Sequence, residues 1–317
     1  MFKYIFSVFK TYNSKNIILQ NLVILAIIML LLMTYQNRHL KYLTGGQRSA
    51  EGFTQKDAFV LKQNGEIYDD FYASVYDTIH KTDTRSQWEL RQMLKLTDAD
   101  TKNSTILDVG SGTGYVVNEL QRAGYRAYGI DNSESMVKQS EEKYPDITIK
   151  KADVLDPMNY EKMTFTHVLC INFTIYEFKN KSTFFRNCHL WMMPNAYLVL
   201  HLVEPATFKA VMPVDEKNKW PTAGRVTDSL ADFDDFNYRA QYEFPAANAD
   251  NQVVIKETFK DKETNHIRQN ERIMYMESIN DVLKLANNEG FIFHGKISTK
   301  EYNGDDNQYL YVLERIM

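Results

Sequence analysis

The chain changes its hydrophobic pattern three times. Leu22 to Met33 (LVILAIIMLLLM) is an unbroken apolar run, preceded by Ile17, Ile18 and Leu19. Residues 17–35 supply roughly the 20 residues that cross a bilayer core, interrupted only by Gln20 and Asn21. A run apolar on every side has no polar face to show solvent, which argues against an ordinary core helix. A cleaved signal peptide is the other alternative, but no small-x-small cleavage site follows Met33. The pattern predicts a transmembrane anchor over 17–35 behind an N-terminal tail, 1–16. Residues 36–65 carry Gly45, Gly46, Ser49 and Gly52 without periodicity and read as a linker.

From Thr105 the pattern becomes that of alternating strands and helices. Thr105–Val109 (TILDV) is short, apolar and partly β-branched, as a buried parallel strand should be. It runs into Gly110-Ser111-Gly112-Thr113-Gly114, then into a helical stripe of Val116, Val117, Leu120 and Ala123 that stops at Gly124. Further strands are predicted at Arg126–Ile130, Ile147–Lys150, Phe165–Asn172 and Tyr197–Val203, with helices near Ser133, over Ser182–Met193 and over Ser278–Asn288. Phe291–Ser298 and Gln308–Glu314 read as two final strands. After the fifth strand and before the helix at Ser278, residues 204–276 form an insertion, with a hairpin predicted from Val253–Phe259 and Ile267–Met274. The domain therefore spans 66–317, and its insertion after the fifth strand is placed to cover an acceptor.

Strand, glycine turn and helix in this order make a nucleotide-cofactor loop, since glycines let the backbone approach a ligand where a Cβ would collide. A dinucleotide loop needs GxGxxG, but its third glycine would fall on Tyr115. The spacing here is GxGxG, with Asp108 two residues before the first glycine. S-adenosyl-L-methionine has no pyrophosphate to cradle, and its sulfonium and ammonium groups suit a carboxylate at the strand end. Asp131, about 20 residues beyond the loop, is placed to accept from both ribose hydroxyls, although it can equally cap the helix that begins near Ser133. Asp153 is placed to accept from an adenine amine, unless it is an ordinary turn aspartate.

Composition narrows the reading further. A formal net charge of -4 gives no basic face for a phosphate backbone. The two cysteines, Cys170 and Cys188, make neither a disulfide framework nor a zinc site, and no metal is expected.

The motifs DVGSGTG, GID, KADV and FTHVLCINFTIYEF, with WMMPNAYLVLHL after them, resemble those of class I S-adenosylmethionine-dependent methyltransferases. The likeness is greatest to the small-molecule branch of quinone-ring and sugar-amine enzymes, because Asp70–Asp77 (DFYASVYD) is similar to their Tyr-Asp lid helix. It implies a Rossmann-like, doubly wound α/β sheet of seven strands with the last antiparallel. It also implies cofactor contacts at Asp108, Gly110, Gly112, Asp131 and Asp153. Ser111, Gly114, Asn132, Ala152, Asn172, Phe173 and Tyr76 complete the expected pocket, with Tyr72 as a second lid residue. Pro194-Asn195-Ala196 stands where the family usually has Pro-Gly-Gly, a change that Asn tolerates in a left-handed turn.

In-line methyl transfer needs alignment and exclusion of water more than a base. His201 and Tyr176 are the candidate bases, each with a plain alternative as a core or packing residue. The expected acceptor is an O or N atom of a small-molecule, sugar or lipid-type compound, handled at a membrane by a domain facing the cytosol. A cofactor-binding scaffold without catalysis and a protein methyltransferase are the alternatives. The absence of an Asn-Pro-Pro-Tyr motif after the fourth strand makes nucleic acid the less favoured acceptor.

Overall fold

In the computed structural model the described residues are 55–208, 226–244 and 251–316, together with the isolated Met29. The predicted anchor, 17–35, lies outside the described residues. Among the described residues no helix is long and apolar enough to cross a membrane.

The chain begins with strand β1 (Phe59–Gln63), a 3₁₀ turn at Asn64–Ile67, and helices α1 (Asp70–His80) and α2 (Thr82–Leu96). There follow β2 (Thr105–Val109), α3 (Tyr115–Arg122), β3 (Arg126–Asp131), α4 (Glu134–Lys143) and β4 (Ile149–Lys151). Next come β5 (Phe165–Cys170), a 3₁₀ turn at Thr174–Glu177, α5 (Lys181–Trp191) and β6 (Met192–Val203). The insertion contributes β7 (Val226–Asp232), β8 (Phe236–Glu243), β9 (Gln252–Asp261) and β10 (Ile267–Tyr275). The chain closes with α6 (Ile279–Asn288), β11 (Phe291–Ser298), α7 (Lys300–Asn303) and β12 (Gln308–Arg315).

The main sheet has seven strands in the order β11-β12-β6-β5-β2-β3-β4. β2 through β6 are mutually parallel, while β12 runs antiparallel to both β6 and β11. β2 is buried at every position, as a central strand covered by helices on both faces must be. The expected fold class is thus present. Asn195 adopts φ 62°, so the Pro-Asn-Ala turn survives through an asparagine in the left-handed region.

Two expectations change. The predicted linker 36–65 contains β1, which pairs in parallel with β10 from Phe59↔Ile267 to Gln63↔Glu271. Part of the range read as linker is therefore built into the folded domain. The insertion is also more than a hairpin. With β1 it forms a second sheet of five strands, β1-β10-β9-β8-β7. One face of that sheet is apolar and buried, with Tyr238, Ala240, Tyr242, Val253, Ile255 and Phe259 nearly solvent-free. α1 packs there, where Phe71 and Tyr72 meet Phe259 edge-on. Polar ties fix the same contact. Arg268 donates to the Asp69 carboxylate at 2.8 Å and to the Ile67 carbonyl at 3.0 Å, while Tyr72 donates to Glu257 at 2.9 Å.

Candidate functional site

The carboxyl ends of β2, β3 and β5 meet α1 and β10 around a cavity of about 460 Å³, a size suited to a small-molecule ligand. Gly110, Gly112 and Gly114 all take positive φ, so the turn after β2 needs residues without a Cβ. Their surroundings differ. At Gly114 a Cβ would come within 2.5 Å of Ile147 Cδ1 and 2.9 Å of Ser140 Cβ, so this glycine allows close packing. At Gly112 the nearest atom to such a Cβ is Tyr76 Cε1 at 3.8 Å, and the space is the cavity itself.

Asp131 ends β3 on the cavity wall. Its Oδ2 accepts from the Gly112 amide and its Oδ1 from the Ser133 amide, both at 2.8 Å. The Ser133 hydroxyl, not Asp131, caps α4 by accepting from the Met136 amide at 3.1 Å. A carboxylate offers about four lone-pair positions, so two backbone donors leave room for ligand hydroxyls. Burial raises the Asp131 carboxyl to about 6, against the pull of those amides. Asp153 also lines the cavity, with Oδ1 bound to the Leu155 amide at 2.9 Å.

Of the expected cofactor residues, Tyr76, Gly110, Gly112, Asp131, Asn132, Ala152, Asp153, Asn172 and Phe173 line the cavity. Asp108, Ser111 and Gly114 stand behind that lining. Asp108 is 3% exposed, and burial, then the neighbouring Asp131 and Glu89 carboxylates, hold its carboxyl well above the usual range. Glu89 is itself raised to about 7 by burial, although Arg85 Nε lies 3.6 Å from it. Asp108 and Glu89 thus share one guanidinium with the Asp131 carboxyl nearby, a deficit of positive charge that a sulfonium and an ammonium would relieve. The donor set and the open position at Gly112 fit S-adenosyl-L-methionine.

Neither candidate base reaches the cavity. Tyr176 is fully buried; its hydroxyl accepts from the Val203 amide at 2.9 Å and donates to the Val203 carbonyl at 3.3 Å. His201 is buried against Phe173, ring centroids 4.5 Å apart, and burial lowers it to about 4, so it is neutral. Both point into the core: Tyr176 from the 3₁₀ turn after β5, tied to the end of β6, and His201 from β6 itself.

α1 forms the roof. Asp77 accepts from the Thr113 hydroxyl at 2.6 Å and pairs with Lys143 at 2.6 Å, which fastens the helix over the glycine turn. Arg85 donates to Asn172 Oδ1 at 2.7 Å, which turns the Asn172 amide so that Nδ2 donates to the Tyr76 hydroxyl at 2.9 Å. Sequence reasoning missed Tyr68, Glu177 and Arg272, which also line the cavity. Arg272 NH1 donates to the Tyr68 hydroxyl at 2.7 Å and lies 3.6 Å from Glu177 Oε1, to which Tyr68 donates in turn. No local signal could have joined them, since Arg272 arrives on β10 from about 200 residues away.

A family model described as a methyltransferase domain matches residues 106–195. No curated protein matches the chain by sequence. Among solved structures the chain is similar to the CcbJ methyltransferase of Streptomyces caelestis, at 16% identity and a TM-score of 0.62, covering 80% of this chain and 100% of that one. It is similar to the sugar N-methyltransferase KedS8 of Streptoalloteichus, at 15% identity and TM-score 0.54, covering 73% and 87%. It is also similar to CalS10 of Micromonospora echinaspora, an amino pentose methyltransferase solved with S-adenosylmethionine bound, at 14% identity and TM-score 0.52, covering 74% and 95%. The chain therefore carries a methyltransferase domain, with the fold of the class I S-adenosylmethionine-dependent methyltransferases.

Proposed function

We propose that the domain transfers the methyl group of S-adenosyl-L-methionine to an N or O atom of a small-molecule acceptor, with sugar or lipid-linked compounds preferred. The observation that carries this reading is the single cavity. It brings Gly112, Asp131 and Asp153 together with the polar group of Tyr68, Glu177 and Arg272. When bound, the cofactor supplies an activated methyl group on a cationic sulfur. The chain's own residues then have three tasks. Asp131 and the glycine turn hold the nucleoside, the buried Asp108–Glu89–Arg85 cluster balances positive charge, and α1 excludes water from above. Exclusion of water and alignment are the main needs of this displacement. The sugar preference is supported by the sugar and amino pentose methyltransferases among the structural neighbours. The apolar run over 17–35 supports tethering to a membrane, and use of a cytosolic cofactor favours the cytosolic side for the domain.

The test is calorimetric titration of S-adenosyl-L-methionine into the full chain, beside Gly112→Val. Binding that the substitution abolishes supports the reading, because valine would fill the cavity at Gly112. A folded wild-type chain that binds none of the cofactor would refute it.

A further inference from the structure

The cavity lining also holds a carboxylate to which the proposed cofactor binding assigns no role. Glu177 ends the 3₁₀ turn after β5, and its side chain is 36% exposed on the cavity wall. One oxygen, Oε1, is committed to the Tyr68 hydroxyl and faces Arg272. Among the described residues no hydrogen bond is made to the other, Oε2. Arg272 is shared, since it also stands in the field of Glu257, which accepts from Tyr72 at 2.9 Å and from Tyr238 at 2.7 Å. Tyr68 cannot turn away, because its oxygen accepts from Arg272 while its proton is given to Glu177. The carboxylate is therefore held in one orientation with its free oxygen available.

We infer, on the basis of the proposed methyl transfer, that the acceptor is an amine and that Glu177 binds its nitrogen and takes its proton. Three observations favour an amine. A free carboxylate oxygen accepts hydrogen bonds, so its partner must be an N–H or O–H donor. The charged side chains lining the cavity are Asp131, Asp153 and Glu177 against Lys179 and Arg272, and Arg272 is already balanced by Glu177 and Glu257, which favours a cationic partner. The proton of an ammonium also passes to a carboxylate across a smaller pKa gap than that of an alcohol does.

The step balances with no further reactant. Glu177 Oε2 takes one proton from the ammonium group, freeing the nitrogen lone pair. That pair forms the N–C bond to the methyl group as the C–S bond breaks, and the bonding pair stays on sulfur as a neutral thioether. The product is a methylated ammonium ion, and the proton on Glu177 passes to solvent. The groups facing Glu177 are Tyr68 and Tyr76 from the N-terminal side, Asp131 from β3, and Arg272 from β10.

The experiment uses the full chain loaded with S-adenosyl-L-homocysteine and titrated with D-glucosamine and benzylamine. N-acetyl-D-glucosamine and D-glucose serve as controls that lack a basic nitrogen. The expected result is binding of an amine probe but of neither control, weakened about tenfold or more in Glu177→Gln, with cofactor affinity unchanged. Transfer of labelled methyl to the same amine should fall by about 10²–10⁴ in Glu177→Gln and recover in part in Glu177→Asp. Tyr68→Phe should weaken amine binding less. Amine binding that is equal in Glu177→Gln and wild type, or no amine binding by a protein that binds the cofactor, would overturn the inference. Failure to bind S-adenosyl-L-methionine would instead sink the function on which it rests.

Discussion

Two glycines two residues apart do opposite work, and substitution separates them. Gly112 opens onto the cavity, whereas Gly114 lies against Ile147 and Ser140. Gly112→Val should abolish cofactor binding at a stability cost limited to about 1–2 kcal/mol for the left-handed backbone. Gly114→Ala should destabilise by more, about 2–4 kcal/mol, because backbone strain adds to a clash in the core. Calorimetry and urea unfolding on both variants check the pair, and similar profiles would contradict the assignment. Asp131 gives a pH signature. Its carboxyl is raised from 3.8 to about 6, so the folded chain holds this proton more tightly than the unfolded one. The stability it contributes is complete below its ordinary value and is lost as pH rises through about 6. Ligand hydroxyls need the carboxylate, so cofactor affinity should fall as pH drops below about 6, by up to about tenfold per unit. Proton release should appear as a binding enthalpy that changes with the ionisation enthalpy of the buffer. Asp131→Asn should bind weakly at every pH and release no proton from this position.

At the scale of the element, Tyr176 shows why a residue type at the right address was not enough. It follows β5, where a base would be useful, yet its hydroxyl is used on both sides by the Val203 backbone. Tyr176→Phe should cost about 1–3 kcal/mol, since the buried Val203 groups lose their partner, and should leave the pH profile of transfer unmoved. A shifted profile would return Tyr176 to the chemistry. The strands, the glycine turn and the end of β3 were legible because their signals are local: β-branched runs, alternating glycines, an acid at a fixed offset. The direction in which Tyr176, His201 and Glu177 point was not legible. Two consecutive left-handed residues, Asn172 at φ 51° and Phe173 at φ 66°, re-aim the chain after β5. Phenylalanine gives no warning of such a conformation.

Across the whole molecule, the second sheet is where sequence patterns failed, and the failure has a physical cause. β1 is five residues long and gains its partner about 200 residues later, so neither periodicity nor composition marks it as a strand. Its pairing nevertheless bears on the site, because β10 carries Arg272, Ile273, Met274 and Tyr275 along the cavity wall. β1 covers one edge of β10, β9 covers the other, and Arg268 ties the same strand to Asp69 at the foot of α1. Removing residues through Gln63 should therefore expose the edge of β10, with its unpaired backbone groups, beside the cavity. We expect a chain beginning at Asn64 to be less stable than one beginning at Phe53 by several kcal/mol, as about five paired residues are lost. The loss should reach the site unevenly. Cofactor contacts on β2 and β3 belong to the other sheet, whereas Arg272 and Tyr68 are joined through β10 and the turn after β1. Amine binding should then fall before cofactor binding does, as calorimetry on the two fragments at a temperature where both stay folded would show. Equal losses of both ligands would mean that the second sheet supports the whole cavity and not its acceptor end.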